Sequence, residues 1–571
     1  MSDQHTPEPR TEHHEEHEPQ PTKLRIPAAL AMILLLAFYG FLLHKGYPQQ
    51  WTQQANAPHQ HTDPHQHTEE DGTATPAGHV HSEKHDGKNY PPLVMVAPFA
   101  ALLLCIAVLP LIPAAAHFWE SNTNKFLVAA GLGVLTLLYY WFGCNFPVEK
   151  HWPGHSVVDP LKEGGFAVAE AVFINAIINE FVPFIILLFS LFTITGGIRI
   201  GGNLKATPFV NSVILFIGAV LASFIGTTGA AMLLIRLLLE TNKERKYKVH
   251  TVIMFIFCVC NCGGCLTPLG DPPLFLGYLR GIAFEWTLIA LWMQWGFVNL
   301  ILIGFYFLWD TVWFYRREPA ENKQADLNGQ TALRISGWML NVPLLFGVVA
   351  AVALLDPGKA VPGTDWHPWY YLREAVQLGL AAVSLLFGGY KIRKENVFNF
   401  LAIGEVAALF FGIFICMQAP LQILNAEGQT IVEHAEKSTG IGKQKLFFWS
   451  TGALSSVLDN APTYVVFFET ARTLSPKTEA EHEQWKQEEG RDFKPVKIGN
   501  TGEEIDWQLL AAVALGAVFM GSMTYIGNGP NFMVKAIAEQ SGVKMPSFFG
   551  YMVYSFVILL PLLIAMTMLF L

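Results

Sequence analysis

Thr267-Pro268-Leu269-Gly270-Asp271-Pro272-Pro273 and Thr524-Tyr525-Ile526-Gly527-Asn528-Gly529-Pro530 share the pattern Thr-x-x-Gly-Asp/Asn-x-Pro, and each lies inside a long apolar stretch. Gly and Pro here interrupt a helix and free backbone N–H and C=O groups. In hydrocarbon no water satisfies those groups, so a break survives only where protein buries it or a wet cavity meets it. Interrupted helices at corresponding positions of two halves point to the binding site of a secondary transporter.

The rest of the chain fits a membrane setting. Of its 571 residues 52% are hydrophobic and only 15% charged, with a mean hydropathy of +0.33. Soluble domains carry about 25% charged residues. The deficit lies in apolar blocks of about 18 residues or more, long enough to span a bilayer. Lys and Arg total 37 against 46 Asp and Glu, a formal charge of −9. That excess acid sits in tails and loops and suggests no nucleic-acid partner; the expected partner is the lipid bilayer. Seven cysteines, four of them Cys258, Cys260, Cys262 and Cys265, do not form a secreted disulfide framework. They read as small packing residues on an apolar helix rather than as a metal site.

The expected fold is an all-α polytopic membrane protein built from two inverted repeats, each with a re-entrant hairpin and a broken helix. A polar cytoplasmic tail (1–25) precedes a first transmembrane helix (26–44), which lacks the small-residue cleavage site of a signal peptide. A His-rich external loop follows (45–91), then added N-terminal helices (92–167). Repeat 1 spans 168–315, with a hairpin at 208–240 and a broken helix at 250–282. A cytoplasmic linker (316–334) leads to the C-terminal half (335–571). Its repeat 2 has a hairpin at 446–471, an external insertion at 472–506 and a broken helix at 507–540. Basic residues flanking the first hairpin and in the linker go inside by the positive-inside rule. The N-terminus is then cytoplasmic, and the two hairpins enter from opposite faces. The insertion, with six Lys/Arg against nine Asp/Glu, suits the outer side.

Chemistry concentrates at the interruptions. Ser456, Asp459, Asn460 and Thr463 sit between two apolar runs, where an ionised carboxylate costs roughly 2.5–3.5 kcal/mol to insert and needs a partner, a cation or water. Asp459 also suits the cap of the second half-helix, and the two roles are compatible. The first hairpin tip, Gly226-Thr227-Thr228-Gly229, has hydroxyls and no acid. Thr267, Gly270 and Asp271 mark the first break; Thr524, Gly527 and Asn528 are their counterparts. Glu180 and Glu405, inside apolar helices, are proton-carrier candidates, with a structural ion pair as the alternative. His59, His61, His65, His67, His79, His81 and His85 form a weak external metal-binding candidate, or else a solvated loop.

The phrases Ser456…Asp459-Asn460-Ala461-Pro462-Thr463, Asn261-Cys262-Gly263-Gly264…Gly270-Asp271 and Gly226-Thr227-Thr228-Gly229-Ala230-Ala231-Met232 resemble the ion transporter superfamily over about 168–571. The likeness is to its branch of NhaD-type sodium/proton antiporters, arsenite permeases and citrate transporters. The resemblance implies a homodimer in a bacterial inner membrane, with Asp459, Asn460 and Thr463 lining one half of the site. Thr267, Gly270 and Asp271 would line the other half. NhaD-type members carry an Asp-Asn pair at both tips, and this chain departs from that at the first. Two functions follow as expectations, neither needing a resident cofactor. One is exchange of Na⁺ for H⁺ at the buried carboxylates, favoured because each half supplies one acid. The other is Na⁺- or H⁺-coupled uptake of citrate or a dicarboxylate. An enzyme is not expected, because no nucleophile–base set accompanies Asp459.

Overall fold

The computed structural model describes residues 21–55, 90–154, 156–499 and 502–571, and the chain is predominantly helical. The His-rich stretch, with His59, His61, His65, His67, His79, His81 and His85, lies outside the described residues. Ten elements build the centre, in two sets of five. In the first set, α1 (Pro208–Ile225) and α2 (Thr227–Thr241) are joined only by Gly226, at φ +80°. They fold back on each other, because the amides of Asn211 and Asn242 exchange hydrogen bonds of 2.8 Å between the start of α1 and the end of α2. Next come α3 (Val249–Cys258), a 3₁₀ turn at Cys262–Cys265, α4 (Pro272–Leu279) and α5 (Trp286–Trp309).

The second set repeats the order. It comprises α6 (Lys443–Ser455), α7 (Asn460–Leu474), α8 (Trp507–Met520), a 3₁₀ turn at Gly521–Met523, α9 (Gly529–Gln540) and α10 (Phe548–Phe570). The pieces of the broken helices hold 10, 8, 14 and 12 residues, each too short to span a bilayer alone. α3 is buried along nearly its whole length, and α8 from Leu509 onward, so the interruptions lie at the middle of the molecule. The sets also interlock: α2 packs on α9, and α7 on α4.

By length and composition, five helices among the described residues can cross a membrane, or seven if two bent pairs each count as one. The sequence layout expects more spans than that, from the first helix through the added helices and both repeats. The difference arises because several are broken or shorter than 18 residues, as with Trp338–Leu354 and Leu372–Phe387. The added N-terminal helices likewise begin as separate pieces, Ala97–Val108 and Pro113–Glu120. The helix Gln418–Thr439 leads toward the second hairpin.

Both polar insertions fold against the helices. In the linker, strand Thr331–Ser336 pairs antiparallel with Arg199–Asn203, and Asp326 accepts the Ala206 N–H ahead of α1. In the insertion, helix Glu479–Glu489 starts on a Thr478/Glu481 capping box and leads into a two-stranded ribbon, Pro495–Lys497 with Glu504–Asp506.

Candidate functional site

Each interruption is held by its own hairpin through the same bonds. In the first set, the Thr267 hydroxyl donates to the Ser223 carbonyl and accepts from the Leu269 N–H at 3.2 Å. Ser223 Oγ donates to the Gly263 carbonyl at 2.5 Å. In the second set, Thr524 Oγ1 donates to the Ser456 carbonyl at 2.5 Å and accepts from the Ile526 and Gly527 N–H groups. Ser456 Oγ approaches the Met520 carbonyl at 3.2 Å, four residues before Thr524, as Gly263 is four before Thr267. A side chain at Gly270 would put Cβ 2.1 Å from the Gly264 carbonyl oxygen, and one at Gly527 would put it 2.6 Å from that of Gly521. Only glycine permits these crossings, which is why the pattern keeps it in both copies.

The freed carbonyls find donors on the helix that follows each broken helix. From α5, Asn299 Nδ2 reaches the Cys262 carbonyl at 3.0 Å, Trp295 Nε1 that of Gly263 at 3.0 Å, and Thr287 Oγ1 that of Leu266 at 3.1 Å. From α10, Tyr551 Oη reaches the Ser522 carbonyl at 2.8 Å and Ser555 Oγ that of Met523 at 2.7 Å. Unwound backbone is thereby satisfied within protein, as hydrocarbon demands.

The two halves meet at Asp271. Its carboxylate, 1% exposed, accepts from Thr227 Oγ1 at 3.0 Å and Asn528 Nδ2 at 3.3 Å on one oxygen. Asn460 Nδ2 approaches the other oxygen at 2.5 Å. Thr227 comes from the first hairpin, Asn460 from the second, and Asn528 from the second break. Asn528 also donates to the Cys260 carbonyl at 3.0 Å and Asn261 Oδ1 at 3.2 Å. Asn261 then donates to Asn531 Oδ1 at 2.7 Å, and Asn531 closes the chain on the Gly521 and Thr524 carbonyls. Asp271 and Asn528 each occupy the N-cap of the half-helix behind them, yet neither side chain caps it. Proline at the first or second position of α4 and α9 removes N–H groups that would otherwise compete for them.

Asp459 sits apart from that chain. It is half-buried, and its Oδ1 accepts the Ala461 N–H at 3.2 Å, capping α7. Among the described residues no Lys or Arg hydrogen-bonds or pairs with either acid. Asn460 Oδ1 is buried without a donor. At the other tip α2 begins on Gly226 with no side-chain cap.

Asp271, Asn460, Thr227 and Asn528 thus come together directly, while Thr267, Gly270, Thr524, Gly527 and Ser456 shape the backbone around them. Thr463 Oγ1 bonds back to the Asp459 carbonyl at 3.1 Å, inside its own helix, and Thr228 is half-buried at the first tip. Glu180 and Glu405 lie elsewhere, each against a base: Glu180 with Arg280 at 2.9 Å and Glu405 with Lys125 at 2.6 Å. Sequence reading did not single out Asn299, Trp295, Tyr551 or Ser555. Polar residues inside apolar spans next to an interruption are the signal that finds them. Cys258, Cys260, Cys262 and Cys265 are buried and unpaired, and among the described residues no group of three or more His, Cys, Asp or Glu could hold a metal.

Across residues 88–571 the chain matches the model of one protein family, described as putative citrate transport. No curated protein matches significantly. The match takes in both hairpins, both interruptions and the helices around them, so the chain belongs to that citrate-transport family of membrane transporters, which is not a class of enzymes.

Proposed function

We propose that the protein is a cation-coupled secondary transporter of a small carboxylate, citrate or a dicarboxylate, with Na⁺ or H⁺ held at Asp271 and Asp459. One observation carries the reading: the two tips differ. The start of α2 has no side-chain cap: its first N–H, of Thr227, goes to the Gly270 carbonyl at 2.8 Å, while the N–H groups of Thr228 and Gly229 and the partial positive charge of the helix start suit an anion. The start of α7 is taken by a carboxylate. An anion suits the first tip and a cation the second. Asp271 faces both, and the Asn460 Oδ1 left without a donor suits a hard cation such as Na⁺. The family description favours the same cargo.

The two sets of five elements are read as inverted repeats whose hairpins enter the membrane from opposite faces, with the N-terminus inside. In support of this, the same Thr-to-carbonyl bonds recur in both sets, the sets interlock reciprocally, and the loop charges assign opposite sides.

Exchange of Na⁺ for H⁺ is the second reading. It is favoured by two acids at the starts of the packed helices α4 and α7 that have no basic partner, since cation and proton would compete for them.

Proteoliposomes separate the two. The expected result is uptake of radiolabelled citrate or succinate driven by an inward Na⁺ or H⁺ gradient and abolished in Asp459→Asn. Absence of carboxylate uptake, with Na⁺-driven proton movement reported by an entrapped pH dye, would replace the first reading by the second.

A further inference from the structure

The two half-helices that lead away from the acids run side by side in the same direction. α4 starts behind Asp271 and ends at Arg280; α7 starts behind Asp459 and passes Glu469 two to three turns later. They touch at three levels. At the start, Asn460 meets Asp271 at 2.5 Å. Halfway along, Gly277 lies so close to Tyr464 that a Cβ would stand 2.3 Å from the phenol oxygen. At the far end, Arg280 Nε donates to Glu469 Oε1 at 3.2 Å, while its Nη2 donates to Glu180 Oε1 at 2.9 Å.

We propose that Arg280 is a positioning residue for the cation site: by bridging Glu469 and Glu180 it fixes the register of α4 against α7, and so the meeting of Asp271 with Asn460. The inference rests on the cation site proposed above. α4 has only eight residues, about 12 Å of helix, so a shift or rotation at Arg280 passes to Asp271 as rigid-body motion. The carboxylate needs such a constraint because its own bonds all go sideways to other elements, while only the Asp271 backbone carbonyl, accepting from the Leu274 N–H at 3.1 Å, ties the residue to α4.

The surroundings of Arg280 suit a fixed geometry. Its side chain is 11% exposed, Glu469 is 11% and Glu180 is 17%. A guanidinium in such a place holds two carboxylates at once in a planar fork, which an ammonium cannot do. Glu469 is backed by Arg472 at 2.8 Å, and Arg472 by Glu503 of the insertion at 2.5 Å. One residue beyond Arg280, the Gly281 carbonyl accepts the Gly499 N–H at 3.0 Å, so the folded insertion braces the same end of α4. Glu180 belongs to the helix Gly165–Thr195, outside both sets of five, at a π-helical stretch Ile174–Phe181. The bridge therefore indexes the acid-bearing pair against a third body as well.

The test compares wild type, Arg280→Gln, Arg280→Lys and Asp271→Asn in proteoliposomes. The half-saturating concentration of the driving cation and the maximal rate are read in whichever assay above shows wild-type activity. Arg280→Gln is expected to raise the half-saturating concentration about tenfold or more, with the maximal rate within about threefold of wild type. Arg280→Lys is expected in between, because it keeps the charge and loses the fork. It also serves where Arg280→Gln fails to express. A purely stabilising bridge would lower the yield or the melting temperature and leave the half-saturating concentration unchanged. A wild-type value in both Arg280 variants, beside a raised one in Asp271→Asn, overturns the register role alone. A wild-type value in Asp271→Asn overturns the underlying site.

Discussion

Asp271→Asn is the most demanding perturbation, because one atom changes and every neighbour reports on it. The carboxylate is nearly fully buried and faces three neutral donors, Thr227, Asn528 and Asn460. An amide there keeps one acceptor and turns its NH₂ toward a donor on the other side. Each donor left unpaired costs about 1–3 kcal/mol. Removing a charge from a buried position offsets this, so yield and melting temperature should stay near wild type. Cation affinity has no such offset. A unit charge about 4 Å from a monovalent cation contributes about 4 kcal/mol at an effective dielectric of 20. At 1.4 kcal/mol per decade that is close to a thousandfold. The retained amide oxygen and Asp459 reduce the loss, to an expected hundredfold to thousandfold rise in half-saturating cation concentration. Gradient-driven flux measured from sub-millimolar to molar cation would show transport lost at low concentration and partly recovered at high. A half-saturating value within about threefold of wild type would refute the assignment of the cation to this acid.

Further substitutions test the architecture. Thr267→Val and Thr524→Val each strip a hydroxyl from a hairpin carbonyl, of Ser223 and Ser456 respectively. Each should destabilise by about 1–3 kcal/mol, and thermal melts of the two should agree within about twofold; a loss in one variant only would break the equivalence of the halves. Gly277→Ala should lower the melting temperature by forcing α4 off α7, at about 1–3 kcal/mol. Adding Tyr464→Phe should recover part of it, since it removes the 2.3 Å contact and leaves ring atoms at 3.0 and 3.2 Å from the new Cβ. No recovery would place the strain elsewhere.

What could be read from the chain alone was whatever local chemistry forces. Gly270 and Gly527 announce breaks because a side chain would collide with another carbonyl, and Pro272 and Pro530 because they cannot continue a helix. The Gly-Thr-Thr-Gly and Asp-Asn-Ala-Pro-Thr tips stood out because polar groups inside apolar runs need partners. Which partners they find depends on contacts between residues that are distant in sequence. Asn460 reaches 189 positions back to Asp271, and Asn528 reaches 257. Nothing in either local segment says that Asp271 rather than Asp459 collects the donors of both halves. The balance between cation exchange and carboxylate uptake shifted for a similar reason. Counting one acid per half treats the tips as equals, whereas the helix starts behind them differ, one without a side-chain cap and one capped by Asp459.

The carbonyls freed at each break are tied to the next helix in the chain, by Asn299, Trp295 and Thr287 on α5 and by Tyr551 and Ser555 on α10. Those bonds decide where the protein can shear. A slip plane between a broken helix and its successor would expose several orphan carbonyls to a low-dielectric interior, at about 1–3 kcal/mol apiece. Transport cannot recover that cost on every turnover. Whatever displacement carries cargo across, α5 must travel with the first break and α10 with the second, as freight coupled to its wagon. The seam that moves has to be sought beyond them, against the helices that surround the ten.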